Sequence, residues 1–253
     1  MADAASSARA ALGIDGPLEL LRASDGGAVY RSPAGIVRVA RSGAEIVELA
    51  YDLAAAGAPI AVPVAGPVTQ DGVVVSLWQD APDDGSRDPV AMGRSLAGFH
   101  AAGDEFLDRA PRWNPLAWLD ARGVAGPIRE RAARFADALD GPPVLLHTDA
   151  HAGNFRVAAG RAVLIDLDQV AVGPALYDLA ALEVTERRFR GDRAIFRAFA
   201  TASGADPDDP GLPPLIALRE ALAVGFVAAI GRPDVAAERL AQLDDPDVRW
   251  TPF

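Results

Sequence analysis

The chain of 253 residues contains no cysteine, and all 24 of its basic residues are arginine. The first absence excludes disulfide scaffolds, thiolate zinc sites and cysteine nucleophiles. The second means that no site here can use a lysine. Basic residues are also in deficit, 24 against 35 acidic ones, for a formal charge of −11. That balance argues against a nucleic-acid partner, whose phosphates want a positive field, and tilts the expected partner toward a cationic small molecule. Long apolar runs are scarce too. The longest uncharged stretch, 53–70, carries Pro59, Pro63, Pro67 and two glycines, which would break a helix in lipid. The first nine residues lack the basic start and apolar run of a signal peptide. A soluble, cytoplasmic protein with no membrane partner is expected. What the chain does have is 50% hydrophobic residues, enough to bury a core in one large domain or two lobes.

The first third reads as strand and turn. Short apolar segments at 18–22, 28–31 and 36–40 are separated by Ser24-Asp25-Gly26-Gly27 and Ser32-Pro33-Ala34-Gly35, the pattern of an antiparallel meander. Residues 44–56 place Ile46, Leu49, Leu53 and Ala56 at helical spacing, with Gly57 as the stop. Two further strands are expected at 62–68 and 73–78. The polar stretch Ala81-Pro82-Asp83-Asp84-Gly85-Ser86 is the best boundary in the chain, dividing a first lobe, 1–80, from a second, 81–253. The second lobe turns helical, around 92–103 and 128–139 and then from 178 onward, with 221–230 as its buried helix.

One non-helical island, 144–170, holds most of the candidate chemistry. Two apolar strands flank the turn Ala159-Gly160-Arg161, so the residues at the open end of this hairpin should meet: Asp149, Asn154 and Asp166, with Asp168 close by. Carboxylate and carboxamide oxygens suit a hard cation such as Mg²⁺, which keeps several waters and is usually shared with substrate phosphates. A further carboxylate can accept a proton from an alcohol. Asp149-x-x-x-x-Asn154 also has the spacing of a protein-kinase catalytic loop.

The runs His147-Thr148-Asp149-Ala150-His151-Ala152-Gly153-Asn154, Leu164-Ile165-Asp166 and Tyr177-Asp178-Leu179-Ala180 together resemble the aminoglycoside phosphotransferase family. The resemblance implies an α+β, two-lobed protein-kinase-like fold: a small five-stranded antiparallel lobe with one helix, and a larger helical lobe. It further implies an ATP-dependent, Mg²⁺-requiring transfer of phosphate to a small-molecule hydroxyl. Aminoglycosides, other cationic antibiotics, amino alcohols and sugars are all open as acceptors. Asp149 is then the catalytic aspartate, and Asn154 and Asp166 are the metal ligands. Asp168 either supports a second metal or caps the next turn. Arg38 stands where this fold usually has lysine, with Glu48, or Glu45 one turn earlier, as its carboxylate partner. Ser24, Gly26 and Gly27 lie where the fold places its phosphate-covering loop, and Trp78 and Gln79 at the hinge that faces adenine.

Other readings of the same residues stand beside this one. Arg38 together with Thr148, in a position where the family commonly has glycine, fits a nucleotide-binding pseudokinase. His147, Asp149 and His151 alternate and would face one way on a strand, as in a zinc hydrolase, but no third ligand of the right type is evident. Both histidines are expected to hydrogen-bond the loop backbone. Trp78 and Trp113 read first as core residues, and Asp178 as a helix N-cap or as a support for the catalytic loop.

Overall fold

The computed structural model describes residues 2–24, 27–190 and 192–251, with side chains from residue 4 onward except that of Ser24. Helix α1 (Ala2–Leu12) precedes a five-stranded antiparallel sheet formed by β1 (Glu19–Ser24), β2 (Gly27–Ser32), β3 (Gly35–Ala40), β4 (Pro63–Gln70) and β5 (Val73–Trp78), with α2 (Ala44–Ala55) inserted between β3 and β4. The strand order is β1-β2-β3-β5-β4. Alternation in β3 sorts its side chains: Val37 and Val39 are buried with Tyr30, Val75 and Leu77 in a cluster that includes Ala8 and Ile14 at α1. Arg38, paired in register with Val29 and Ser76, takes the opposite face. The first lobe thus has two helices rather than the one expected. The N-terminal helix covers the sheet face that the alternation makes apolar.

The second lobe begins with α3 (Pro89–Gly103), capped by Asp88, whose side chain accepts from the backbone N–H of Val90 and Ala91. Short helices α4 (Pro115–Asp120) and α5 (Pro127–Ala133) follow. Two small two-stranded sheets come next. β6 (Pro143–Leu146) pairs with β9 (Ala171–Pro174), and β7 (Phe155–Ala158) with β8 (Arg161–Leu164). The second pair is the hairpin expected from sequence; its turn residues Ala159 and Gly160 have φ of 51° and 71°, the left-handed pair a two-residue hairpin needs. Helices α6 (Leu176–Thr185), α7 (Arg193–Ala202), α8 (Leu212–Ala229) and α9 (Pro233–Ala241) complete the lobe, and a π-helical turn over Glu186–Arg190 extends α6.

Helix α8 is buried mainly through residues on its central turns, such as Leu218, Ala221 and Leu222. Its C-terminal end is more open than the sequence suggested, with Phe226 46% and Ile230 45% exposed. It is long and apolar enough to cross a membrane by length and composition, yet it carries Arg219 and Glu220 at mid-length and packs in the core.

The main apolar core does not stop at the lobe boundary. Val47, Leu49, Ala50 and Leu53 of α2 join Met92, Leu96, Phe99, Leu145, Leu146 and Leu164 in one cluster. A backbone seam reinforces it: Leu164 N–H donates to Pro59 O and Ala61 N–H donates to Leu164 O, each at 2.8 Å.

Candidate active site

The catalytic-loop region is built on buried backbone hydrogen bonds. His147 Nδ1 accepts from Asp149 N–H at 3.3 Å, and its Nε2 donates to Ile165 O at 2.8 Å. The imidazole therefore ties the loop before the hairpin to the strand leaving it, and has no nitrogen free for a metal. Asp178, fully buried, accepts from His147 N–H (2.8 Å), Thr148 N–H (2.7 Å) and His100 Nε2 (3.0 Å). It is the third residue of α6 and not its N-cap, which is Ala175 without a side-chain cap; supporting the loop is its role. Thr148 sits at φ 67°, a left-handed conformation costly for a β-branched residue, and is held there by the bond from its N–H to Asp178 and from its hydroxyl to Gln169 O at 2.9 Å.

His151 is likewise a backbone anchor: its Nδ1 accepts from Gly153 N–H at 3.0 Å, and its Nε2 lies 3.5 Å from Asp149 Oδ2. The ring explains the glycine, because a Cβ on Gly153 would stand 2.7 Å from His151 Cε1. Both histidines thus meet the expectation of structural roles.

The structure brings together the three oxygen-bearing residues the hairpin was expected to gather. Asn154 Nδ2 donates to Asp149 O (3.0 Å) and Oδ2 (3.3 Å), while Asn154 O accepts from Ile165 N–H at 2.9 Å, next to Asp166. These bonds orient the carboxamide and leave Oδ1 as its acceptor atom. Asn154 and Asp166 line a cleft of about 750 Å³ between the sheet and the helical lobe, whose other walls include Arg22, Arg31, Arg38, Trp78, Gln79 and Arg156. Hard oxygen donors from a carboxylate and a carboxamide, opposite several arginines, fit a divalent cation shared with a polyphosphate. Among the described residues no three His, Asp or Glu side chains form a ready metal cluster. Asn154 and Asp166 are residues that could hold such an ion, with phosphate and water completing its shell.

The partner of Arg38 differs from expectation. Arg38 bonds Asp166 Oδ1 at 3.3 Å and makes a close contact with Asp168 Oδ2, and its guanidinium lies 5.8 Å from the Trp78 ring centroid. Glu48 and Glu45 are both exposed on α2 and do not reach it, because the helix turns Val47, Leu49, Ala50 and Leu53 inward. Arg22 adds a contact to Asp166 Oδ2 at 3.3 Å. Asp168 is an ion-pair partner of Arg38, half exposed. Partial burial pushes its carboxyl above the ordinary range, Arg38 opposes the rise and the neighbouring Asp166 adds to it.

At the hinge, Trp78 is buried and donates from Nε1 to Ser76 Oγ at 2.8 Å. Gln79 lines the cleft, but its own N–H donates to Val62 O at 2.8 Å and is not free to meet a base. Gly27 is required by packing: a Cβ there would lie 2.1 Å from Val39 O. Gly26 and the side chain of Ser24 lie outside the described residues.

One contact of the candidate site escaped the sequence reading. Arg219, on α8, makes a close ion pair with Asp149 Oδ1. Burial alone would raise the Asp149 carboxyl, but Arg219, helped by His151 and His147, overrides it and holds the group well below the usual carboxylate range. A lone arginine in an apolar helix carries no motif that could have flagged it.

Residues 20–215 match the Phosphotransferase enzyme family. No curated protein matches the chain. Among solved structures, a choline/ethanolamine kinase family protein from Mesorhizobium loti is 20% identical, with a TM-score of 0.72 over 97% of this chain and 95% of the other. Amicoumacin kinase hAmiN, in complex with AMP-PNP, Ca²⁺ and Ami, is 18% identical with a TM-score of 0.70 over 93% and 90%. A thermostable mutant of aminoglycoside phosphotransferase APH(4)-Ia, in a ternary complex with ADP and hygromycin B, is 15% identical with a TM-score of 0.67 over 94% and 96%. The family match spans the sheet, the cleft and the catalytic loop just described, and the solved structures share the two-lobed arrangement. The chain belongs to the phosphotransferase enzyme family and has its protein-kinase-like fold.

Proposed function

We propose that the protein is an ATP-dependent phosphotransferase acting on a hydroxyl of a small molecule. The observation that carries this reading is the meeting of Asp149, Asn154 and Asp166 where the arginine-lined cleft reaches the catalytic loop. ATP would lie between residues 1–80 and 81–253, its phosphates toward Arg38 and its base toward the Trp78–Gln79 end. Mg²⁺ held by Asn154 and Asp166, with Asp168 behind them through Arg38, would neutralise charge on the phosphates. The Asp149 carboxylate is ionised at neutral pH and a weak base, so its work is to orient the acceptor hydroxyl in line with the γ-phosphate. The acceptor oxygen forms its bond to the γ-phosphorus as the bond from phosphorus to the bridging oxygen of ADP breaks. The hydroxyl proton passes to Asp149 late in the step and then to water. Alignment and charge neutralisation supply most of the rate. We place the protein in the cytoplasm, where ATP is available.

The test is ADP formation across a library of hydroxyl-bearing metabolites and antibiotics. Asp149→Asn should lower turnover by two to four orders of magnitude, roughly the contribution of a positioned acid–base group, with ATP binding by calorimetry little changed. Equal activity in that variant removes the assignment. The pseudokinase reading has one observation behind it: Asp149 and Asp166 are both already engaged by arginines. Mg-ATP binding without turnover of any acceptor would favour it.

A further inference from the structure

The acceptor side of Asp149 has a chemical character that the overall charge of −11 conceals. Arg219 contacts Asp149 Oδ1 with one Nη while its side chain remains 19% exposed. A guanidinium carries five N–H donors in a planar fork, so most of its donor capacity is left over. Beside it, the Trp113 and Tyr177 rings lie 5.7 Å apart, with the buried Tyr177 hydroxyl facing both Trp113 Nε1 and the Arg219 guanidinium. Burial pushes the Tyr177 phenol up to about 12, against the pull of Arg219, so at working pH it is a neutral hydroxyl able to donate.

This side of the site therefore offers the spare N–H groups of the Arg219 guanidinium against the single carboxylate of Asp149, which is already paired. Donors in excess call for an acceptor group, and buried ones are costly to leave unmatched. An ammonium placed within reach of Asp149 would instead stand against Arg219 and meet like charge at contact distance, a repulsive element of the kind that sets specificity.

Resting on the phosphotransferase reading, we propose that Arg219 is the specificity-determining residue of the acceptor site. It selects a small molecule that carries an anionic oxygen group, carboxylate or phosphate, beside the hydroxyl to be phosphorylated, and it turns away acceptors with an ammonium at that place. One oxygen of the anion takes the free edge of the Arg219 fork. Asp149 keeps the hydroxyl.

The experiment measures equilibrium binding by calorimetry or ligand-observed NMR. The protein is saturated with AMP-PNP and Mg²⁺, so that the phosphate cleft is filled. The matched probes are 3-hydroxypropanoate, 3-hydroxypropyl phosphate, 3-hydroxypropanamide and 3-hydroxypropyl-trimethylammonium. At least one anionic probe should bind roughly tenfold or more tighter than the amide and the ammonium, and comparison of the first two tells carboxylate from phosphate. Arg219→Gln should erase the preference, and Arg219→Lys, which keeps the charge but not the fork, should retain part of it; melting curves confirm that both variants fold. The proposal is overturned if the ammonium probe binds as well as the anions, if no probe binds, or if the preference survives in folded Arg219→Gln. Anion preference without Asp149-dependent ADP formation would sink the transferase reading alone, whereas Asp149-dependent transfer to ammonium acceptors would sink this inference alone.

Discussion

Asp178 offers the sharpest test of how the catalytic loop is held. Its carboxylate is fully buried and accepts from two backbone N–H groups, those of His147 and Thr148, and from the His100 ring. In Asp178→Ala these donors lose their acceptor in a place water does not reach. Each unsatisfied buried donor costs about 1–3 kcal/mol. Two backbone groups and the ring, less the relief of removing a buried charge, give a loss of about 3–5 kcal/mol. That is a large share of the ~5–15 kcal/mol that holds a typical domain together. Asp178→Asn keeps the shape and one acceptor oxygen but turns an amide NH₂ toward a donor, so it should cost about half as much.

Urea unfolding measures both losses, and amide hydrogen exchange locates them: the His147 and Thr148 N–H groups should lose protection in Asp178→Asn while those of β2 and β3 do not. Thr148 has a second reason to respond, since its φ of 67° is stable only while its hydrogen bonds hold it. A loss below about 1 kcal/mol in Asp178→Ala would refute the reasoning, as would unchanged exchange at Thr148, because either result would mean that the loop keeps its shape without this carboxylate.

Glu186 gives a pH prediction. It is buried in the π-helical turn, neither carboxylate oxygen has a hydrogen bond, and Arg190 approaches only to 3.6 Å. Burial, opposed by Arg87 and reinforced by Asp192 and Glu183, raises its carboxyl to about 6. A raised carboxyl favours the folded state when protonated, so its penalty is absent below the unfolded value near 4.5, grows as pH rises to 6 and is complete above it. The stability of Glu186→Gln relative to wild type should therefore improve by up to ~2 kcal/mol between pH 4 and pH 7.5; a difference that does not move with pH counts against the burial argument. Gly93→Ala tests the α3–α7 crossing, since its Cβ would lie 2.3 Å from Phe199 O and 2.8 Å from Ala202 Cβ. Forcing α3 and α7 apart should cost about 1–3 kcal/mol or more, read as a fall in melting temperature, and a neutral result would mean that the two helices slide freely.

Much of this architecture was legible because the sequence signals were local. Alternation in 36–40, the Ala159-Gly160 turn and the Asp149–Asn154 spacing each act over a few residues, and each produced the element or the meeting point expected. The misreadings share a cause. Helix α1 makes its contacts through Ala8 and neighbouring alanines, and alanine gives too little hydrophobic contrast to reveal a buried face. Glu48 was chosen as a partner for Arg38 without knowing the rotation of α2, which directs both of its candidate glutamates to solvent. Asp178 is a mixed case: of its two expected roles the support of the catalytic loop holds and the helix cap does not, since the loop 30 residues upstream packs against it. Arg219 is the extreme case, since its partner lies 70 positions away and no local pattern ties the two.

The seam at Leu164 has a mechanical consequence. Residues 59–61 run straight into β4, one margin of the sheet, so that margin is riveted to the helical lobe while β1, at the other margin, is its free end. Rotation about such a spine leaves Ile60 nearly still and carries β1 through the longest arc. Arg22, on β1, reaches across the mouth to Asp166, the same carboxylate a cation would take. On the proposed reading, a cation taken by Asp166 would release Arg22, and a distance label pair on β1 and α8 should register that travel where a pair spanning Ile60 and Leu164 stays silent.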